Sequence, residues 1–119
     1  MTYLRRRIDP NTFVITRKQL AKYLNLDGSS ILRWENWAHV LWVHIKGRGG
    51  YFVSYRKLQQ WIIACCKLIR GCEDNKTLKA VWLALRKEAK RYTKEAIAFL
   101  YQLCQQQQLY LSTRSNLNN

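Results

Sequence analysis

From Thr16 to Leu24 the apolar residues fall at helical spacing. Leu20, Ala21 and Leu24 form one stripe, Thr16 stands where an N-cap belongs, and Gln19 completes a capping-box pattern. Asn25-Leu26-Asp27-Gly28 breaks this helix, and Asp27 or Ser29 can cap a second one over Ser30–Trp37. Two short helices joined by a tight turn, with Ala21 leaving room for a close crossing, predict a helix-turn-helix. The β-branched and aromatic run Val40–Ile45 predicts a strand, Lys46-Gly47-Arg48-Gly49-Gly50 a turn, and Tyr51–Val53 the returning strand. The pair reads as a β-hairpin wing. Ser54 is placed to cap a third helix containing Leu58, Trp61, Ile62, Cys65, Cys66, Leu68 and Ile69, which Gly71 ends. Thr77 is placed to cap a fourth, with Leu78, Val81, Trp82 and Leu85 inside. From Thr93 a last stripe, Ala96, Ile97, Leu100, Tyr101, Leu103 and Cys104, leads into the glutamine run. The expected fold is mainly α: a winged helix-turn-helix with a small hairpin wing, then a helix pair and a C-terminal helix.

The organisation that follows is a basic arm over 1–12, a winged-helix domain over 13–92, a C-terminal helix over 93–111 and a frayed polar tail over 112–119. With 119 residues, 48% of them apolar, the chain can fill one core and little more. No apolar h-region follows the basic start, and no apolar run approaches a membrane span, so a cytoplasmic, nucleoid-associated location without membrane contact is expected. Cys65, Cys66, Cys72 and Cys104 form no Cys-x-x-Cys pair, which fits helix-core thiols in a reducing compartment better than disulfides or a metal site.

Charge changes the picture most. Twenty-one Lys and Arg against seven Asp and Glu leave a formal net charge of +14. A compact body so charged repels itself, and a polyanion relieves the repulsion. Nucleic acid is the first candidate partner and an anionic membrane surface the second. The carboxylates are few and lack a histidine beside them, and no glycine-rich phosphate loop occurs, so neither an enzyme nor a bound cofactor is expected.

The candidate contacts to DNA are Arg17, Lys18, Ser29, Ser30, Arg33, Asn36, Lys46, Arg48, Tyr51, Tyr55 and Arg56. On a recognition helix, Arg33 can pair with guanine and Asn36 with adenine, while Ser29 and Ser30 reach base edges or phosphate. Arg33 can equally be a phosphate contact or a solvated residue. Lys46 and Arg48 at the glycine-rich tip suit phosphate or minor-groove contact, and Tyr51 and Tyr55 can offer hydroxyls to phosphate. Arg5-Arg6-Arg7 can enter a minor groove or remain a charged end. Trp34, Trp37 and Trp42 either pack the wing or stack on exposed bases.

Ile15-Thr16-Arg17-Lys18-Gln19-Leu20-Ala21-Lys22, Ser30-Ile31-Leu32-Arg33-Trp34-Glu35 and Gly50-Tyr51-Phe52-Val53-Ser54, in that order, resemble segments of the MerR family of bacterial transcription regulators. The small size and Trp-rich pattern also resemble the small MerR-type repressors of cyanobacterial CRISPR-associated transposons. Leu32, Phe52 and Lys57 depart from the family at positions often held by Arg, Arg and Asp, and Arg48 or Arg56 can substitute for the missing cations. The resemblance implies a sequence-specific DNA-binding regulator, a repressor without a small-molecule effector, bound to a palindromic promoter site. It also implies an antiparallel homodimer through the C-terminal helix, with Ala96, Ile97, Leu100, Tyr101, Leu103 and Cys104 as the seam. Two alternatives share the residues: an excisionase-like DNA-bending factor, and a binder of RNA or single strands.

Overall fold

The computed structural model describes residues 3–117, with side chains described through Arg114. The order of elements is α1 (Tyr3–Arg7), α2 (Arg17–Leu24), β1 (Ile31–Asn36), β2 (Leu41–Ile45), β3 (Gly49–Val53), α3 (Gln59–Arg70), α4 (Asn75–Lys87) and α5 (Lys94–Leu117). Helices dominate, and the strands form one antiparallel sheet in the order β1-β2-β3.

α2 forms as its sequence predicts. Thr16 Oγ1 accepts the Gln19 amide at 3.2 Å, and Asn25 ends the helix in the left-handed conformation at φ 57°. The expected second helix does not form. Asp27 instead caps a short 3-10 turn at Gly28–Ser30, and Ile31–Asn36 continues as a strand. The reason lies in what pairing offers this segment. As a strand it gives its backbone to β2, buries Ile31 and half-buries Trp34 and Asn36, in a run whose bulky side chains suit a pleated surface. The ladder is irregular between Ile31 and Arg33, which leaves Leu32 exposed.

The hairpin forms where expected. Ile45 pairs with Gly49 across Lys46-Gly47-Arg48. Gly47 and Gly49 both adopt φ 77°, which a β-carbon would penalise. Leu41, Val43 and Ile45 are buried, so the alternate residues Trp42 and His44 face the other way. Their cross-strand partners are Glu35 and Arg33 on β1, and Phe52 and Gly50 on β3.

The sheet's inner face and the helices share a single core that includes Leu4, Leu20, Ile31, Leu41, Val43, Tyr55, Trp61, Ile69, Leu85 and Leu100. Helix starts differ from the expected caps by a few residues. Ser54 caps a 3-10 turn at Tyr55–Lys57 ahead of α3. Asp74, not Thr77, caps α4 and accepts the Thr77 amide at 2.7 Å.

Both termini depart from expectation. The basic arm is docked: Leu4, Ile8 and Pro10 are buried, and α1 packs against α4. Apolar residues between the arginines hold it down. Met1 and Thr2 of that arm lie outside the described residues. At the other end α5 runs to Leu117 without fraying from Ser112, while Asn118 and Asn119 lie outside the described residues.

The expected dimer seam is largely used within the protomer. Leu100, Leu103 and Cys104 are buried, Ala96, Ile97 and Tyr101 half-buried, because this face of α5 packs on α3 and α4. Cys104 lies in the buried part of that face. Burial pushes its thiol up to about 11.

Candidate nucleic-acid interface

The outer face of the sheet gathers the most chemistry. Trp37 follows β1, and its ring stacks on that of Trp42 with centroids 6.0 Å apart and planes 3° from parallel. Phe52 on β3 lies 5.5 Å from Trp37, and His44 on β2 lies 5.8 Å from Trp42. The Arg33 guanidinium sits 4.9 Å from the Trp42 ring centroid. An exposed ion pair of 3.5 Å to Glu35 ties Arg33 only weakly. Phe52 is 57% and Trp37 43% exposed, so these rings face water while the other side of the sheet fills the core. Glycine at position 50 leaves room for the Trp42 ring. A β-carbon there would sit 2.5 Å from Trp42 Nε1.

The hairpin tip extends this face with cations. Lys46 and Arg48 are exposed, and Tyr51 beside them is exposed as well. Partial burial, and then Tyr51, raise the Tyr23 hydroxyl above its ordinary range.

The other expected contacts have structural work or lie apart. The Arg17 Nε donates to the Ile31 carbonyl at 3.0 Å, and its guanidinium stacks 5.6 Å from the Trp34 centroid, which joins α2 to β1. Lys18 is exposed on α2. Ser29 gives its amide and hydroxyl to Asp27 at 3.0 and 3.1 Å, and those bonds hold the Asp27 carboxyl below its usual range. The Ser30 carbonyl accepts the Lys46 amide at 2.7 Å. Asn36 Nδ2 donates to the Pro10 carbonyl at 2.9 Å, which ties its amide to the N-terminal segment.

Tyr55 and Arg56 are corrected outright as ligand contacts. Tyr55 is fully buried and its hydroxyl donates to the Trp37 carbonyl; burial raises its pKa. Arg56 is buried against Glu88, with Nη2 to Oε2 at 3.0 Å. Glu88 also accepts the Tyr92 hydroxyl at 2.6 Å, and Tyr92 accepts Trp61 Nε1 at 2.8 Å. This is a closed polar network, because an arginine taken from water needs a partner in the core.

Trp34, Trp37 and Trp42 lie close together in the sequence. The structure separates them: Trp34 turns inward with the core, whereas Trp37 and Trp42 build the outer face. Phe52 and His44 were missed. The alternation Leu41-Trp42-Val43-His44-Ile45 was the signal that could have found His44. Among the described residues no group of His, Cys, Asp and Glu is arranged to hold a metal ion, and no helix is long and apolar enough to cross a membrane. Comparison with protein families, with curated proteins and with solved structures finds nothing significantly similar to this chain.

Proposed function

We propose that the protein binds nucleic acid across the outer face of its sheet. Unpaired bases stack on Trp37, Trp42 and Phe52, while Arg33, Lys46 and Arg48 meet the phosphates. One observation carries this reading: solvent-facing aromatic rings and cations share a single sheet face on a chain of net charge +14. Every base presents a π-face, and successive rings beside a cationic track make a platform for a single strand. A duplex hides those base faces inside its stack.

The hairpin tip favours a second reading, a MerR-like, sequence-specific regulator of duplex DNA. Two cations on a glycine-rich loop suit a wing against a phosphate backbone. On that reading the protein is a ligand-independent repressor on a palindrome, or an excisionase-like bending factor. The strand β1 then takes the place expected of a recognition helix. A homodimer would use the outward residues of α5, Phe99, Leu109 and Tyr110, since the expected seam is spent.

Anisotropy titration of one labelled oligonucleotide, single-stranded and as a duplex, separates the two. The single strand is expected to bind more tightly. Trp37→Ala and Phe52→Ala should each weaken it by about 1–3 kcal/mol, roughly 5- to 150-fold. Preference for the duplex, with both variants binding like the parent, would replace the first reading by the second.

A further inference from the structure

Carboxylates are scarce in this chain, seven against twenty-one Lys and Arg, and most of them have structural work. Asp9, Asp27 and Asp74 each accept a backbone amide at the start of a helical turn. Glu88 holds the buried Arg56. Glu95 lies in the first turn of α5, where the helix dipole favours negative charge. Glu73 lies in the loop before α4. Glu35 is placed differently. It pairs across the sheet with Trp42, which pairs in turn with Phe52. Paired positions share a face, so Glu35, Trp42 and Phe52 form one row across the outer side of the sheet.

The Glu35 carboxylate lies 3.5 Å from the Arg33 guanidinium, and both side chains are exposed. A pair so exposed adds little to the stability of the fold. A carboxylate beside rings and cations that face a polyanion also repels its phosphates. Neither the fold nor phosphate binding therefore accounts for Glu35 in this row. Its hydrogen bonding supplies a reason. Arg33, Lys46 and Arg48 can only donate, and an ionised carboxylate can only accept. A base stacked on the rings turns its edges towards the side chains of the row, and Glu35 answers the donors there.

The bases differ in what they offer a carboxylate. The Watson–Crick edge of guanine carries two adjacent donors, N1–H and the 2-amino group, one for each oxygen. Adenine and cytosine each offer one amino group beside a ring nitrogen whose lone pair opposes the second oxygen. Thymine and uracil offer one N–H between two carbonyls. Base pairing hides the guanine edge in a duplex, and a single strand leaves it free.

We propose that Glu35 is a specificity-determining residue of the sheet face and selects an unpaired guanine, accepting N1–H and the 2-amino group while the base stacks on the exposed rings. The inference rests on the sheet-face reading. The contact to Arg33 holds the carboxylate beside the rings and is weak enough to yield to the base.

The test uses the full chain and labelled short oligothymidylates that differ in one central base: guanine, hypoxanthine, adenine, cytosine or thymine. Adenine controls for the stronger stacking of purines, and hypoxanthine lacks the 2-amino group. Anisotropy titration should show the guanine strand held about fivefold or more tightly than the adenine strand, the low end of what a bidentate pair to a base edge supplies. The hypoxanthine strand should fall between them. In E35Q that preference should shrink to about twofold or less, while the all-thymine strand binds as well as before or better, because a carboxylate that repels phosphates is gone. Equal binding of guanine and adenine strands by the parent, a preference for cytosine, or a guanine preference that survives in E35Q overturns the proposal. So does a single factor of tighter binding by E35Q for every strand, which would make Glu35 a moderator of charge. Circular dichroism melting checks the fold of E35Q, and Glu35→Ala replaces it if E35Q fails to fold. Binding insensitive to Trp37→Ala and Phe52→Ala would mark failure of the sheet-face reading itself. Binding that depends on those rings but ignores the central base would mark failure of the Glu35 inference alone.

Discussion

Among the arginines that lie over tryptophans in this protein, Arg56 and Arg33 do opposite work. Arg56 lies 4.4 Å from the Trp61 centroid, with its side chain 4% exposed and paired to Glu88. Arg33 lies 4.9 Å from the Trp42 centroid with its side chain 65% exposed. The first is sealed between the helices, where every polar atom needs a fixed partner. The second stands open on the sheet, where water or a ligand can replace any partner. The same pair of residue types therefore holds the fold in one place and offers a surface in the other, and burial decides which.

The contrast breaks most visibly at the carboxylates. Glu88→Ala leaves Arg56 buried without its counter-charge and should cost about 3–5 kcal/mol of unfolding free energy. Glu35→Ala removes the partner of Arg33 and should cost less than about 1 kcal/mol. Urea denaturation of the two variants reads the difference, and equal losses would erase the distinction between the stacks. A smaller effect is expected at Gly50→Ala. The added methyl would meet Trp42 Nε1, so the ring must turn. Overpacking costs typically about 1–3 kcal/mol, and the low end applies to a half-buried ring at the surface. The tryptophan emission should shift, strand binding on the proposed reading should weaken, and the melting transition should fall by only about 3–5 °C. Smallest is a pH effect confined to the helical side. Burial pushes the Cys65 thiol up from 9.0 to about 12. Its stabilising share is complete below pH 9 and is lost as pH climbs towards 12. At pH 10 the loss amounts to about 1 kcal/mol. Cys65→Ala should flatten the decline in stability between these values, whereas Trp37→Ala should leave it intact.

α2, α3 and α4 were legible in the sequence because each carries a repeating apolar stripe long enough to settle the period, whereas the short, arginine-rich α1 carries none. α2, α3 and α4 follow Leu20, Trp61 and Val81 and their neighbours at that spacing. Ile31–Asn36 defeated the same reasoning. Six residues with Ile31 and Trp34 three apart fit one helical turn as well as a pleated strand, and only pairing with β2 decides between them. The candidate site suffered accordingly. Lys46 and Arg48 were legible because glycines announce a turn. Tyr55 and Arg56 were misplaced because nothing local shows that Glu88, 32 positions on, closes over the arginine. Leu100 and Cys104 looked like an unpaired seam for the same reason: helical spacing reveals an apolar face but not what covers it.

The turn after β1 is fastened from two sides, by Arg5 to the Ala38 carbonyl and by Tyr55 to that of Trp37. Its shape is thus settled during folding, and an incoming strand would find the Trp37 ring already in place. On the proposed sheet-face reading, the entropy of ordering that loop would not fall on the binding step. A chain trimmed to begin at Phe13 would lose one of the two fastenings. Such a chain should hold the strand more weakly although no trimmed residue lies on the sheet face, with the deficit appearing as a less favourable entropy rather than a lost contact.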